Sequence, residues 1–148
     1  ASAYTRTRTR PWPYGGDDKG SAAEEWYILE TYGELQSRLW AAEALADAAG
    51  GELARLLHAE RDSVTPRQRG EVAVRVAAAK QQAVDVGLEI GTRIYEVTGA
   101  RATANSVGFD IYWRNIRTHS LHDPIAYKRR EVGAWALLGT LPEPTWYT

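Results

Sequence analysis

Apolar residues recur in steps of three and four over most of the chain, the signature of helices with one buried face. The first run is Ile28, Tyr32, Leu35, Leu39, Ala42, Ala46 and Ala49, resuming at Leu53, Leu56 and Leu57. Ser21 followed by Glu24 predicts a capping box at its start, and Gly50-Gly51 predicts a weak or bent point within it. The run is expected to end near Asp62-Ser63. The second run is Val72, Val76, Ala79, Ala83, Val86, Ile90, Ile94 and Val97, introduced by Thr65 as N-cap, Pro66 at N1 and Gln68 completing a box. It predicts a helix roughly 45–50 Å long at 1.5 Å per residue, closed by Gly99. Two such helices joined by a short turn make an antiparallel hairpin that needs partners for its other faces. A shorter helix is expected over about 105–118, and a last one from Asp123 (N-cap) and Pro124 (N1) to about Leu138. The expected fold is all-α: an up-down bundle of about four helices over 21–148, preceded by an arm over 1–20.

The arm alternates Thr5-Arg6-Thr7-Arg8-Thr9-Arg10 and continues Pro11-Trp12-Pro13-Tyr14-Gly15-Gly16, which breaks helix. Its first residues also fit the tail of a helix lying upstream. The tail 141–148 reads as extended, with Trp146 and Tyr147 expected to dock.

Composition narrows the function classes. The net charge of −1 supplies no general drive toward nucleic acid or anionic membrane. There is no cysteine, hence no disulfide framework, thiolate nucleophile or zinc–sulfur site. No apolar run approaches the ~18 residues of a membrane span, and a cytoplasmic location is expected. The chain has no Met and opens Ala1-Ser2-Ala3-Tyr4, which reads as a piece of a larger protein. Phosphate-cradling, nucleophile-elbow and dinucleotide motifs are missing.

Candidate chemistry concentrates in 113–127. Trp113-Arg114-Asn115-Ile116-Arg117-Thr118-His119-Ser120-Leu121-His122 holds two of the three histidines, two arginines and an Asn. His119 and His122 are expected to straddle a turn near the N-terminus of the last helix, where free N–H groups stabilise negative oxygen and histidine exchanges protons near neutral pH. Two histidines at i, i+3 beside a turn are also what a solvated surface looks like, and spacing does not separate the readings. His-x-x-His lacks further ligands at matching positions, so no metal is expected. His58, beside Ala59-Glu60, reads as solvated. The loop Gly99-Ala100-Arg101-Ala102-Thr103 is small enough for backbone approach, with Arg101 suited to a phosphate. It reads equally as a C-cap followed by a surface arginine. Arg6, Arg8 and Arg10 can grip phosphates or form a flexible basic arm.

Taken in order, Tyr4…Arg10-Pro11-Trp12, Thr65-Pro66, Gly99-Ala100-Arg101-Ala102-Thr103 and Trp113 through His119-Ser120-Leu121-His122-Asp123-Pro124 resemble the C-terminal helical domain of flavin-dependent monooxygenases with the acyl-CoA dehydrogenase fold, the dibenzothiophene monooxygenase group in particular. The resemblance implies a two-component system. A separate flavin reductase supplies reduced FMN (alternatively FAD), and O₂ is activated as a C4a-hydroperoxyflavin to oxygenate a small organic substrate. It implies a homotetramer, a dimer of dimers paired through this bundle, with flavin at the interface. It assigns catalytic roles to His122 with His119 beside it, and cofactor contacts to Arg101, to Arg8 or Arg10, and more weakly to Gly99, Ala100 and Thr103. Acyl-CoA dehydrogenases of this fold commonly keep a glutamate in the region corresponding to 119–124. None is present here, which disfavours that alternative, since removing a proton α to a thioester needs a base. A further alternative is a non-enzymatic helical module that self-associates through its hairpin. The amino-terminal and β domains that would complete a flavin site are expected outside this chain, which should be inactive alone.

Overall fold

A computed structural model describes residues 1–13, 19–59 and 61–148. Tyr14-Gly15-Gly16 of the arm and Glu60 lie outside the described residues. Among the described residues five α-helices carry the fold: α1 (Ser2–Arg8), α2 (Trp26–Ala59), α3 (Pro66–Thr98), α4 (Asp110–His122) and α5 (Ile125–Leu138). Three short 3₁₀ turns, Ala22–Glu24, Arg61–Ser63 and Ala100–Thr103, link them. The all-α expectation with two long antiparallel helices holds.

The hairpin register is written in ion pairs. Glu34 and Arg38 near the start of α2 meet Arg93 and Glu89 near the end of α3 at 2.9 and 3.4 Å, and Glu52 further along α2 meets Arg75 near the start of α3 at 2.8 Å. On α2 the fully buried positions are Ile28, Leu35, Ala42, Ala49 and Leu56, one every seven residues. Such a narrow seam is that of a helix packing against one neighbour.

α3 is different. Besides Val72, Ala79, Val86 and Val97 it buries Val74, Ala77 and Val84, which the sequence stripe omitted. The reason is that α3 packs against α2 on one side and against α4 and α5 on another. Glycines let α4 come close. A Cβ on Gly91 would lie 3.1 Å from Cβ of Trp113, and one on Gly87 would lie 3.0 Å from Ile116.

Several boundaries differ from expectation. Ser21 caps only the 3₁₀ turn, accepting from the Ala23 N–H, and α2 begins at Trp26. α2 runs unbroken through Gly50-Gly51, because tertiary packing outweighs a propensity cost of about 1 kcal/mol per glycine. The Thr65 capping box forms as expected, and Gly99 ends α3 with φ +81°. α4 lies later than 105–118. Turns around Val107 and Gly108 (φ +70°) delay its start. It then continues to His122, because Pro124 drives only Asp123 out of helical geometry (φ −125°, ψ 94°). α5 is capped by Pro124, not Asp123.

α1 lies against the hairpin. The buried Thr5 hydroxyl bonds the Tyr32 hydroxyl at 2.8 Å and donates to the Val97 carbonyl at 3.0 Å. At the other end of the chain, Leu141 sits on Gly70, and Arg69 donates to the carbonyl oxygens of Pro142 (3.0 Å) and Thr148 (2.7 Å). The tail therefore docks through the Leu141 side chain and backbone carbonyls, and not through the expected Trp146 and Tyr147 side chains, which are exposed. Among the described residues no helix is long and apolar enough to cross a membrane.

Two glycine substitutions should move stability in opposite directions. In Gly50→Ala the new methyl meets open space, and thermal unfolding should show a gain of up to about 1 kcal/mol. In Gly91→Ala the methyl meets Cβ and the backbone of Trp113. Overpacking of about 1–3 kcal/mol should exceed the propensity gain and lower Tm.

Candidate functional site

The candidate residues fall into two groups at separate stations along α3. The first is at its C-terminal end. Gly99, which closes α3, leads directly into the 3₁₀ turn Ala100–Thr103, with Ala102 buried and Ala100, Arg101 and Thr103 exposed. The Thr103 hydroxyl donates back to the Ala100 carbonyl at 2.7 Å and so tightens the turn. The arm is fixed beside it. Thr9 donates to the Thr98 carbonyl at 3.0 Å, and the Thr9 methyl group is the nearest atom to a Cβ built on Gly99, at 3.9 Å. Thr9 lies between Arg8 and Arg10, so the arm's arginines and Arg101 share one end of the bundle. The buried Glu25 carboxylate continues the attachment, accepting the Trp12 N–H at 2.9 Å, and Tyr4 packs edge-on against Phe109 with centroids 5.6 Å apart. The arm is thus docked, not flexible, over its described part. Among the described residues Arg8, Arg10 and Arg101 form no ion pair, and all three are exposed. Three guanidinium groups with open donor forks are chemically suited to a phosphate.

The second group is at the α4–α5 turn. His119 and His122 both belong to the last turn of α4. They do not straddle the turn as expected: both precede it, at the carbonyl-presenting end of α4, although His122 lies only three residues before Ile125 and borders the same cleft as the first turn of α5. The two side chains also part company. His122 borders a cleft of about 690 Å³ between α5 and the tail, with Tyr127, Lys128 and Glu143. His119 borders an apolar groove formed with Ala49, Leu53, Val76 and Ala83 of α2 and α3. Both histidines are exposed.

Sequence reading missed what anchors this turn. The sequence alone places Asp123 as the cap of α5. Its carboxylate instead pairs with Lys80 of α3 and lies 3.9 Å from the Lys128 ammonium of α5. Lys128 also pairs with Glu131 at 3.2 Å and donates to the Tyr147 carbonyl of the tail. Its side chain is only 6% exposed. A signal was present: Lys128 falls three residues after the buried Ile125, on the face of α5 where an apolar residue belongs.

Lys80 marks the second station and Thr98 the first, eighteen residues apart on one unbroken helix, hence about 27 Å along it at 1.5 Å per residue. Within one copy of the chain the phosphate-suited arginines and the histidine turn therefore do not converge.

Residues 1–126 match the profile of the family described as acyl-CoA dehydrogenase, C-terminal domain. The chain belongs to this family. Among curated relatives, a dibenzothiophene monooxygenase of Mycolicibacterium goodii is 44% identical over 147 residues, covering 97% of this chain but 34% of the relative. A probable FMNH2-dependent monooxygenase, SfnC, of Pseudomonas putida is 40% identical over 148 residues, 37% of its length. Among solved structures, FMN-bound TdsC from Paenibacillus sp. A11-2 superposes with a TM-score of 0.91 at 42% identity, covering 99% of this chain and 36% of TdsC. Methanesulfinate monooxygenase MsuC from Pseudomonas fluorescens superposes at 0.92 and 39% identity, covering 99% and 37%. The chain thus spans about a third of the length of the relatives it matches.

The placement of the arm beside Arg101 depends on Thr5. Thr5→Val keeps the volume but strands the Val97 carbonyl and the Tyr32 hydroxyl, and urea unfolding should show a loss of about 1–3 kcal/mol. Thr7→Val removes only an exposed bond to the Ala3 carbonyl and should stay within about 0.5 kcal/mol.

Proposed function

We propose that this acyl-CoA dehydrogenase C-terminal domain is the carboxy-terminal third of a reduced-flavin-dependent monooxygenase that uses FMN. The observation that carries the reading is the match at 44% identity across 97% of the chain to dibenzothiophene monooxygenases, together with the near-superposition on an FMN-bound relative. The segment 119–124 reads His-Ser-Leu-His-Asp-Pro, without the glutamate that acyl-CoA dehydrogenases of this fold commonly keep there as base.

The residues present fit such a cofactor. Arg101, with Arg8 or Arg10 from the docked arm, would hold the phosphate, and the tight Gly99–Thr103 turn would admit it. His122, with its imidazole open to the cleft beside α5, would border the reactive end and hold or deliver a proton to the developing oxygen anion. His119 opens onto the neighbouring groove and would act on substrate placement through the helix it shares with His122. When bound, the reduced flavin supplies the electrons that activate O₂. The separation of about 27 Å between the two stations favours a flavin lying between copies of the chain, arginines from one and histidine from another. Residues 1–20 would then be an interface arm on the bundle 21–148. The exposed Trp40, Leu53, Leu57 and Val76 along the hairpin are apolar surface of the kind that subunit pairing and the missing domains would cover. The intact protein would be a cytoplasmic homotetramer served by a separate flavin reductase and acting on a small organic substrate.

Two measurements test this. The isolated 148 residues, given reduced FMN, O₂ and a thiophene or sulfinate substrate, should form no oxygenated product; appreciable product would overturn the view that other domains complete the site. In the intact protein, Arg101→Ala should weaken reduced-FMN binding about tenfold or more, the loss of one charge-assisted contact of about 1.5–3 kcal/mol. His122→Ala should leave binding nearly unchanged and lower product formation by roughly 10²-fold or more. If both variants keep wild-type affinity and rate, these residues do not serve the flavin.

A further inference from the structure

Beneath the His122 turn lies a four-charge cluster made by three separate elements. Asp123 follows His122 directly. Its carboxylate pairs with Lys80 from α3, with side-chain exposures of only 17% and 18%, and is approached at 3.9 Å by Lys128 from α5. Lys128 is held in turn by both Glu131 oxygens at 3.2 and 3.3 Å and by the Tyr147 carbonyl. Two lysines and two carboxylates balance, so the cluster carries no net charge. Asp123, Lys128, Glu131 and Tyr147 border the His122 cleft on one side and a second hollow beneath the tail, next to Lys80, on the other. The cluster is the partition between them.

We propose that Lys80 and Lys128 are positioning residues for His122: by clamping the Asp123 carboxylate from two helices they fix the backbone of the α4–α5 turn and so the placement of the imidazole, and Lys128 extends that clamp to the tail. This rests on the reading of His122 given above. Two observations direct it. Among the described residues the His122 side chain makes no hydrogen bond of its own, so its position follows from its backbone. And the cluster's bonds, drawn from three elements, are directional and specify one geometry for the turn, whereas apolar side chains of similar volume often replace a whole buried ion cluster without loss of stability. The other inter-helix pairs, such as Arg129–Asp85 at 2.7 Å with both side chains about half exposed, bind helices together without reaching the turn.

The test uses the intact, FMN-supplied protein and reads three quantities: affinity for reduced FMN, product formed per O₂ consumed, and hydrogen peroxide released. Lys128→Met and Lys80→Met should each leave reduced-FMN affinity within about twofold, since the arginine station is about 27 Å away. Each should divert O₂ to peroxide and lower coupled product about ten- to hundred-fold, as a small misplacement of a reacting group does. Lys128→Arg, which keeps the charge, should recover part of the coupling. In the double variant with His122→Ala, Lys128→Met should add no further loss, because residues acting through one group are non-additive. If Lys128→Met does not fold, Lys80→Met, at the more accessible edge of the cluster, carries the same expectation. Unchanged coupling in the lysine variants while His122→Ala uncouples would overturn the positioning role alone. Unchanged coupling in His122→Ala itself would overturn the reading of His122. A loss in the lysine variants that multiplies independently with that of His122→Ala would also overturn the proposal.

Discussion

Everything in this domain hangs on the double burial of α3. A helix that packs on one side needs a single apolar seam, and α2, buried at every seventh residue from Ile28 to Leu56, is such a helix. α3 buries a second face through Val74, Ala77 and Val84, and uses Gly87 and Gly91 to admit Ile116 and Trp113 of α4. Each other α-helix touches it. The arm reaches its C-terminal end through Thr5 and Thr9, the α4–α5 turn meets its middle through Lys80, and the tail lies on its start through Gly70 and Arg69. Because α3 is one uninterrupted helix, these three stations are spaced by its rise and cannot drift relative to one another.

That spacing gives the candidate chemistry its character. Arginines stand at one end and a histidine turn near the middle, held by different bonds. The first station is held by neutral hydroxyl-to-carbonyl bonds at the strand-like exit of α1; the second by a compact cluster of opposed charges. Neither encloses a ligand by itself. The chain spans about a third of relatives such as the FMN-bound TdsC, and under the proposed function the remaining walls of each station would come from other domains or other copies.

Periodicity exposed the hairpin because long amphipathic helices repeat their signal many times over. The Thr65-Pro66-Gln68 start and the Gly99 stop were legible because capping is local chemistry. The second face of α3 was not, since Val74, Ala77 and Val84 look like ordinary interruptions of a stripe until α4 and α5 are known to lie there. The α4–α5 boundary failed for a related reason. Asp-Pro is a strong local start signal, yet the Asp123 carboxylate was claimed by lysines 43 residues upstream and five downstream in sequence, Lys80 and Lys128, partners that no local rule anticipates. The candidate residues themselves were legible as types and spacing. Their separation into two stations, and of His119 from His122 onto different surfaces, is a property of the packing alone.

The central claim is that this domain supplies two separate walls of a flavin site. The most direct test is an experimental structure of the intact protein with FMN bound. The account predicts the FMN phosphate against Arg101 and an arginine of the arm, and His122 from the α4–α5 turn bordering the ring system, the two contributed by different copies of the chain. A flavin bound without contact to any of these residues would contradict it.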